Sequence, residues 1–160
     1  MSEAQSRPEG LEPRLQAEGE FAGWHLWDID PFEHNAGPYY EYRGVDGAGR
    51  LAFRAEARHM NNGGFMHGGC LMSFADAALF FVAREALGEA RGVTMHLAGD
   101  FLEPVPPGAL MEATGEVVRA GGKTIYARGT LLANGRAALA FTGIIRKITE
   151  RDHALSRTEI

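Results

Sequence analysis

The segment from Gly69 to Leu87, GCLMSFADAALFFVAREAL, constrains this chain more than any other. It is rich in Ala, Leu and Phe, holds no proline and runs into Gly88, a residue suited to close a helix. Apolar residues surround almost the whole helical cylinder. A helix with so little polar surface is stable only when it is covered on several sides. The rest of the chain must therefore wrap it.

The flanking sequence supplies strands for that purpose. In LAFRAEARH, Leu51, Phe53, Ala55 and Ala57 alternate with Arg54, Glu56 and Arg58, a period of two that turns one face to a core. A glycine-bearing loop from Met60 to Met66 separates this segment from the helix. After the helix, Arg91 to Leu102 reads as a strand stopped by Pro104, Pro106 and Pro107. Strands over Ala109 to Arg119, Lys123 to Ala133 and Arg136 to Ile148 follow, joined at Gly121-Gly122 and Asn134-Gly135. One strand or more before the helix and four after it give an α+β domain whose antiparallel sheet curls around the helix. The domain spans residues 21–148, between a polar leader (1–20) and a charged tail (149–160) expected to fray. Within it, Phe21 to Tyr42 carries Phe21, Trp24, Trp27, Phe32, Tyr39, Tyr40 and Tyr42. These read either as a flap packed on the core or as part of an apolar ligand pocket.

Composition excludes several classes. A formal net charge of -5 and the lack of a dense basic run argue against nucleic acid as the main partner. The single cysteine, Cys70, cannot form an internal disulfide, and beside so many apolar residues it reads as core. No basic segment leads into an apolar core at the N-terminus, and no run of about eighteen apolar residues exists. The expectation is a cytoplasmic protein with no membrane partner.

Chemistry concentrates around the start of the helix. In His59-Met60-Asn61-Asn62-Gly63-Gly64-Phe65-Met66-His67-Gly68-Gly69, the last two glycines let a ligand approach the backbone and leave amide N–H groups pointing outward. With the positive end of the helix dipole, such amides suit a carbonyl oxygen that gains negative charge. Asp76 lies inside Phe74-Ala75-Asp76-Ala77-Ala78-Leu79, where a carboxylate is costly unless paired or used. No polar stripe runs beside it for it to join. A metal site at His59, His67 and Asp76 matches no standard ligand spacing.

The pattern Asn61-x-x-Gly64-x-x-His67-Gly68-Gly69, with Asp76 nine positions after His67, resembles the hot-dog thioesterases, in particular the phenylacetyl-CoA and 4-hydroxybenzoyl-CoA type with a helical acid. The likeness extends over about residues 37–148, through Gly92-Val93-Thr94 and Phe101-Leu102-x-Pro104. The resemblance implies a hot-dog fold and hydrolysis of acyl-CoA without metal or organic cofactor. It implies that Gly68 N–H polarises the thioester carbonyl and that Asp76 acts as general base or nucleophile. Asn61 would help to place water or substrate, His67 would support the loop, and Thr94 would assist the water. Gly64, Gly69 and Phe80 fall where substrate would bind.

Gly68 and Asp76 are eight residues apart, about 12 Å along a helix. A base must lie within about 3 Å of the water it deprotonates. One chain's helix start and its own Asp76 are too far apart for a compact site. Two helices packed antiparallel about a two-fold axis would bring Gly68 of one copy near Asp76 of the other. A homodimer with shared sites is expected, and it could pair further into a tetramer. Two other readings are a non-catalytic acyl-CoA-binding hot-dog domain and a hot-dog hydratase or dehydratase; the base at Asp76 counts against the first, the placement of His67 before the helix against the second. The acyl group is expected to be aryl-acetyl or medium-chain, carried by CoA or an acyl carrier protein. Arg119, Lys123, Arg146 and Lys147 are candidates for the CoA phosphates.

Overall fold

The computed structural model describes residues 13–26, 30–44 and 49–148. Two short strands, β1 (Arg14–Leu15) and β2 (His25–Leu26), precede a short helix, α1 (Pro31–Ala36). Then come β3 (Tyr40–Arg43), β4 (Gly49–Arg54), a 3-10 turn at Ala57–His59 and the long helix α2 (Gly68–Leu87). Four long strands complete the described residues: β5 (Arg91–Phe101), β6 (Leu110–Ala120), β7 (Thr124–Ala133) and β8 (Arg136–Ile148). All eight strands form one antiparallel sheet in the order β1-β2-β3-β4-β6-β7-β8-β5. The sheet curves around α2, the architecture of the hot-dog fold.

The expected strand after Leu51 is shorter than its alternation suggested. It ends at Arg54, because Ala57–His59 turns into a 3-10 helix closed by reciprocal bonds between Glu56 and His59. At the other end, Arg14 and Leu15 pair with Leu26 and His25, so the sheet begins inside the segment read as leader. Residues 1–12 of that leader and the tail 149–160 lie outside the described residues, as does Trp27. The aromatic segment serves packing in two places. Phe21 stacks on Tyr40 at 4.2 Å, and Tyr39 joins Phe53 and Phe74 in the core.

The helix is buried as its composition required. Leu71, Phe74, Ala75, Ala77, Ala78, Leu79 and Ala83 are all buried. They face Phe53, Met111, Ile125, Leu131, Leu139 and Ile145 from the sheet. Burying each large side chain stabilises the fold by about 1.5–3 kcal/mol. Helix and sheet approach so closely that glycine is required at the contact. A methyl group on Gly143 of β8 would stand 2.5 Å from Leu79 Cδ2. The β7–β8 turn is the tight two-residue kind, with Asn134 and Gly135 both at positive φ (48° and 80°).

Gly143→Ala should cost about 1–3 kcal/mol by overpacking, read from the midpoint of chemical denaturation. Leu79→Ala should cost about 2–5 kcal/mol by opening a cavity. The double variant should be less destabilised than the sum of the two, because the new methyl enters the space that Leu79 leaves.

Candidate active site

The loop before α2 is built to present the helix start. Asn61 N–H donates to Phe65 O (2.7 Å), Met66 N–H to Val105 O and His67 N–H to His59 O (both 2.8 Å). Within the loop, Asn61 Oδ1 accepts from Gly63 N–H (2.8 Å) and Phe65 N–H (3.3 Å). Gly64 takes φ +81°, a conformation that favours glycine. Asn61 and Gly64 therefore shape the turn, and Asn61 spends its carbonyl oxygen there.

His67 is the N-cap, and its Nδ1 accepts from Gly69 N–H at 2.9 Å. That bond fixes the ring and leaves the other nitrogen to carry the proton of the neutral form. Gly69's amide is thus occupied, whereas Gly68 N–H meets no acceptor among the described residues. One free donor at the positive end of a twenty-residue helix is the arrangement an anionic oxygen needs.

Two turns further on, Asp76 is half-buried and Thr94 Oγ1 donates to its Oδ1 at 2.7 Å. Thr94 reaches it because β5 carries a bulge: Thr94 pairs with Ile145 and His96 with the adjacent Ile144, leaving Met95 as the extra residue. The bulge changes which side chains face α2. Gly92 lies against Phe80 and Thr94 against Asp76 on one side of it. On the other side, Gly99 lies against Met72, and the Phe101 ring is 3.3 Å from where a Gly68 Cβ would be. The helix row Gly68, Met72, Asp76 and Phe80 is therefore lined by β5 along its length. An unbroken strand could not turn both Thr94 and Phe101 towards the helix.

Phe80 is half-buried at the end of this row and wedged against Gly92. Cys70 is also half-buried, and burial pushes its thiol pKa up, the reverse of what a nucleophilic thiolate needs. On the other side of the helix start, Phe32, Ala36, Arg58, Cys70 and Ser73 line a groove of about 390 Å³. A larger open depression, about 500 Å³, lies between Asp100, Glu116 and Arg128 and includes none of the residues above. No cluster of metal-ligating side chains occurs among the described residues, and no described helix is long and apolar enough to cross a membrane.

Gly68 and Asp76 remain separated by eight residues of continuous helix, about 12 Å, so the structure of one chain does not unite them. Asp76 and Thr94 are brought together. Phe101 beside Gly68 escaped the sequence reading, because its facing depends on the bulge.

Residues 63–139 match the family model of the thioesterase superfamily. No curated protein gives a significant sequence match. Among solved structures, the chain is similar to a mutant of the phenylacetic acid degradation protein PaaI from Thermus thermophilus. The two share 28% identity at TM-score 0.64, over 74% of this chain and 100% of that one. It is also similar to the PaaI protein of the phenylacetic acid degradation operon of E. coli, with 22% identity and TM-score 0.56, over 63% of this chain and 72% of that one. A hypothetical thioesterase from Streptococcus pneumoniae, solved with coenzyme A, shares 22% identity at TM-score 0.61, over 69% of this chain and 85% of that one. The sequence match and the shared architecture make the chain similar to the hot-dog thioesterases.

His67→Ala should lower stability by about 0.5–2 kcal/mol through loss of the cap, read from thermal unfolding. Cys70→Ala should leave thiol release from acyl-CoA within about twofold of wild type, since a half-buried thiol whose pKa is pushed up supplies no thiolate nucleophile.

Proposed function

We propose that this chain hydrolyses acyl-CoA thioesters with an aryl-acetyl or medium-chain acyl group, in sites shared by two copies. The observation that carries the reading is Asp76 itself: an acid within the apolar stretch Phe74–Leu79 of α2, oriented by Thr94, on the same open row as a helix-start amide that meets no acceptor among the described residues. A binding domain has no use for such a base.

The second copy follows from the sheet edge. β5 is the last strand of the sheet, eleven residues long, and it exposes Val93, Met95 and Phe101, with Leu102 just beyond. A long apolar edge is a template for another strand unless something covers it. Antiparallel pairing of β5 with β5 of a second copy covers both edges and lays the two α2 helices side by side in opposite directions. Asp76 then lies near Gly68 of the partner subunit.

In the reaction, a water held by Asp76 and Thr94 gives a proton to the Asp76 carboxylate as its oxygen attacks the thioester carbon. The carbonyl electron pair moves onto oxygen and is stabilised by the N–H of Gly68 of the partner subunit. Collapse of the tetrahedral anion breaks the C–S bond, and protonated Asp76 gives its proton to the departing thiolate, which restores the carboxylate. The products are the carboxylic acid and the CoA thiol. CoA as carrier agrees with the ligand of the Streptococcus pneumoniae relative. Phe80 and the partner's surface would bound the acyl group, while Gly69 and Gly64 keep the approach open.

Asp76→Asn should lower kcat for thiol release by about 10²–10⁴-fold. Wild-type turnover in that variant would remove Asp76 as the base. Thr94→Val should cost roughly tenfold, the loss of one hydrogen bond to a charged group. For assembly, Met95→Glu places a charge in the proposed β5 seam without touching the core. It should elute as a monomer in size-exclusion chromatography and lose activity together with the dimer. A monomer that still turns over would end the shared-site reading.

A further inference from the structure

Helix α1 and the first turns of α2 enclose the groove of about 390 Å³ beside the helix start. Its lining includes His67 and Gly69, the two neighbours of Gly68, so a group whose oxygen rests on the Gly68 N–H has this groove next to it. The opposite wall, α1, is fixed in place. Asp30 caps its start, accepting from Phe32 N–H (2.9 Å) and Glu33 N–H (3.1 Å). Arg58 clamps its end, donating to Asn35 O (2.8 Å) and to Gly37 O. Phe32 is 64% exposed at the rim, and Ala36 and Cys70 add apolar surface. No carboxylate lines the groove among the described residues.

His59, also part of the lining, carries a donor without a partner. The residue is 4% exposed, its ring packs at 83° to that of Phe53, and its Nδ1 accepts from Glu56 N–H at 2.9 Å. The proton of the neutral ring therefore sits on Nε2, which is buried and makes no hydrogen bond among the described residues. Burial, then the Arg58 charge, lower the His59 pKa, against opposing effects of Gly37 O and Glu56, so the ring is neutral at pH 7. A buried donor without an acceptor is costly. Gly37 O, in its vicinity, already receives Arg58. Each side-chain nitrogen of Arg58 donates to the protein, and Glu56 balances its charge at 2.9 Å. The groove therefore lacks a free cation for an anion and offers a neutral donor to a neutral oxygen.

We propose that this groove is the acyl subsite and that His59 is its specificity-determining residue, selecting acyl groups that carry a hydroxyl or carbonyl oxygen at the far end. The inference rests on the reading of the chain as an acyl-CoA hydrolase with Gly68 as oxyanion donor. The copy that supplies Gly68 also supplies the groove. The thioester oxygen rests on Gly68 N–H, the apolar body of the acyl group lies between Phe32 and Cys70, and the terminal oxygen accepts from His59 Nε2–H. An acyl group without that oxygen fills the same space and leaves the donor unmet, which is the strongest form of discrimination a small pocket has.

The test compares kcat/KM of the full-length protein for phenylacetyl-CoA with that for its 3-hydroxy and 4-hydroxy derivatives. Wild type should favour one hydroxylated probe by about tenfold to hundredfold. His59→Asn keeps an acceptor for Glu56 N–H and removes the Nε2 donor, and it should bring that ratio to about one whatever its absolute rate. A merely structural His59 would change all rates together and leave the ratio standing. Ser73→Leu, which fills the groove from α2 without touching His59, should lower kcat/KM for all three probes by more than about tenfold. A wild-type ratio near one, as when a water satisfies His59, overturns the proposal, and so does a preference that survives in His59→Asn. Nitrogen-15 NMR of the His59 ring gives a readout that needs no turnover: Nε2–H should shift with the preferred hydroxyphenylacetate and not with phenylacetate. That shift without hydrolysis of any probe would strike the hydrolase reading and leave the groove standing. Hydrolysis of all three probes without the shift would strike the groove alone.

Discussion

The burial of α2 by the curved sheet is the constraint on which everything else rests. A helix apolar on nearly every side offers no stable solution except enclosure. Enclosure at this distance dictates glycine at points of closest approach, such as Gly143 against Leu79 and Gly99 against Met72. The same tight contact fixes the helix axially. The candidate site residues on α2 therefore inherit their positions from core packing, and a rigid element places a site more precisely than a loop does.

The helix is enclosed unevenly. Strands β6, β7 and β8 bury Met111, Ala113, Ile125, Ala127, Leu139 and Phe141 against it. β5, by contrast, is exposed along most of its length. The row Gly68, Met72, Asp76 and Phe80 lies under this thin edge, where an acid is tolerated because Thr94 satisfies one of its oxygens. The bulge at Met95 serves both ends of that row, turning Thr94 to Asp76 and Phe101 to Gly68. The candidate site lies where the core is incomplete, at the exposed edge formed by β5.

The start of α2 shows how local bonds select one donor from several. His67 consumes the Gly69 amide, and the helix itself bonds Cys70 and Leu71 back to His67 O. Only Gly68 N–H is left without an acceptor among the described residues at this turn. The two ends of the row are thus unlike, an amide without an acceptor at Gly68 and a carboxylate held by Thr94 at Asp76.

Sequence by itself determined the buried helix over Gly69 to Leu87, the four strands after it and the turns at Gly121-Gly122 and Asn134-Gly135. Each of these follows from a local rule of periodicity, capping or turn chemistry. It also marked Asp76 as anomalous, because a carboxylate among alanines and phenylalanines is costly wherever the helix lies. Helix α1 was legible in the Asp30-Pro31 start and was missed, since six residues carry little periodic signal. The strand at Leu51 was overextended, because alternation continues into a segment that Glu56 and His59 close as a turn. Tertiary structure alone decided that β5 crosses the helix to the far edge of the sheet and that a one-residue bulge turns Thr94 and Phe101 to the same side. Those contacts join residues remote in sequence through register and packing, and no local preference of the chain encodes them.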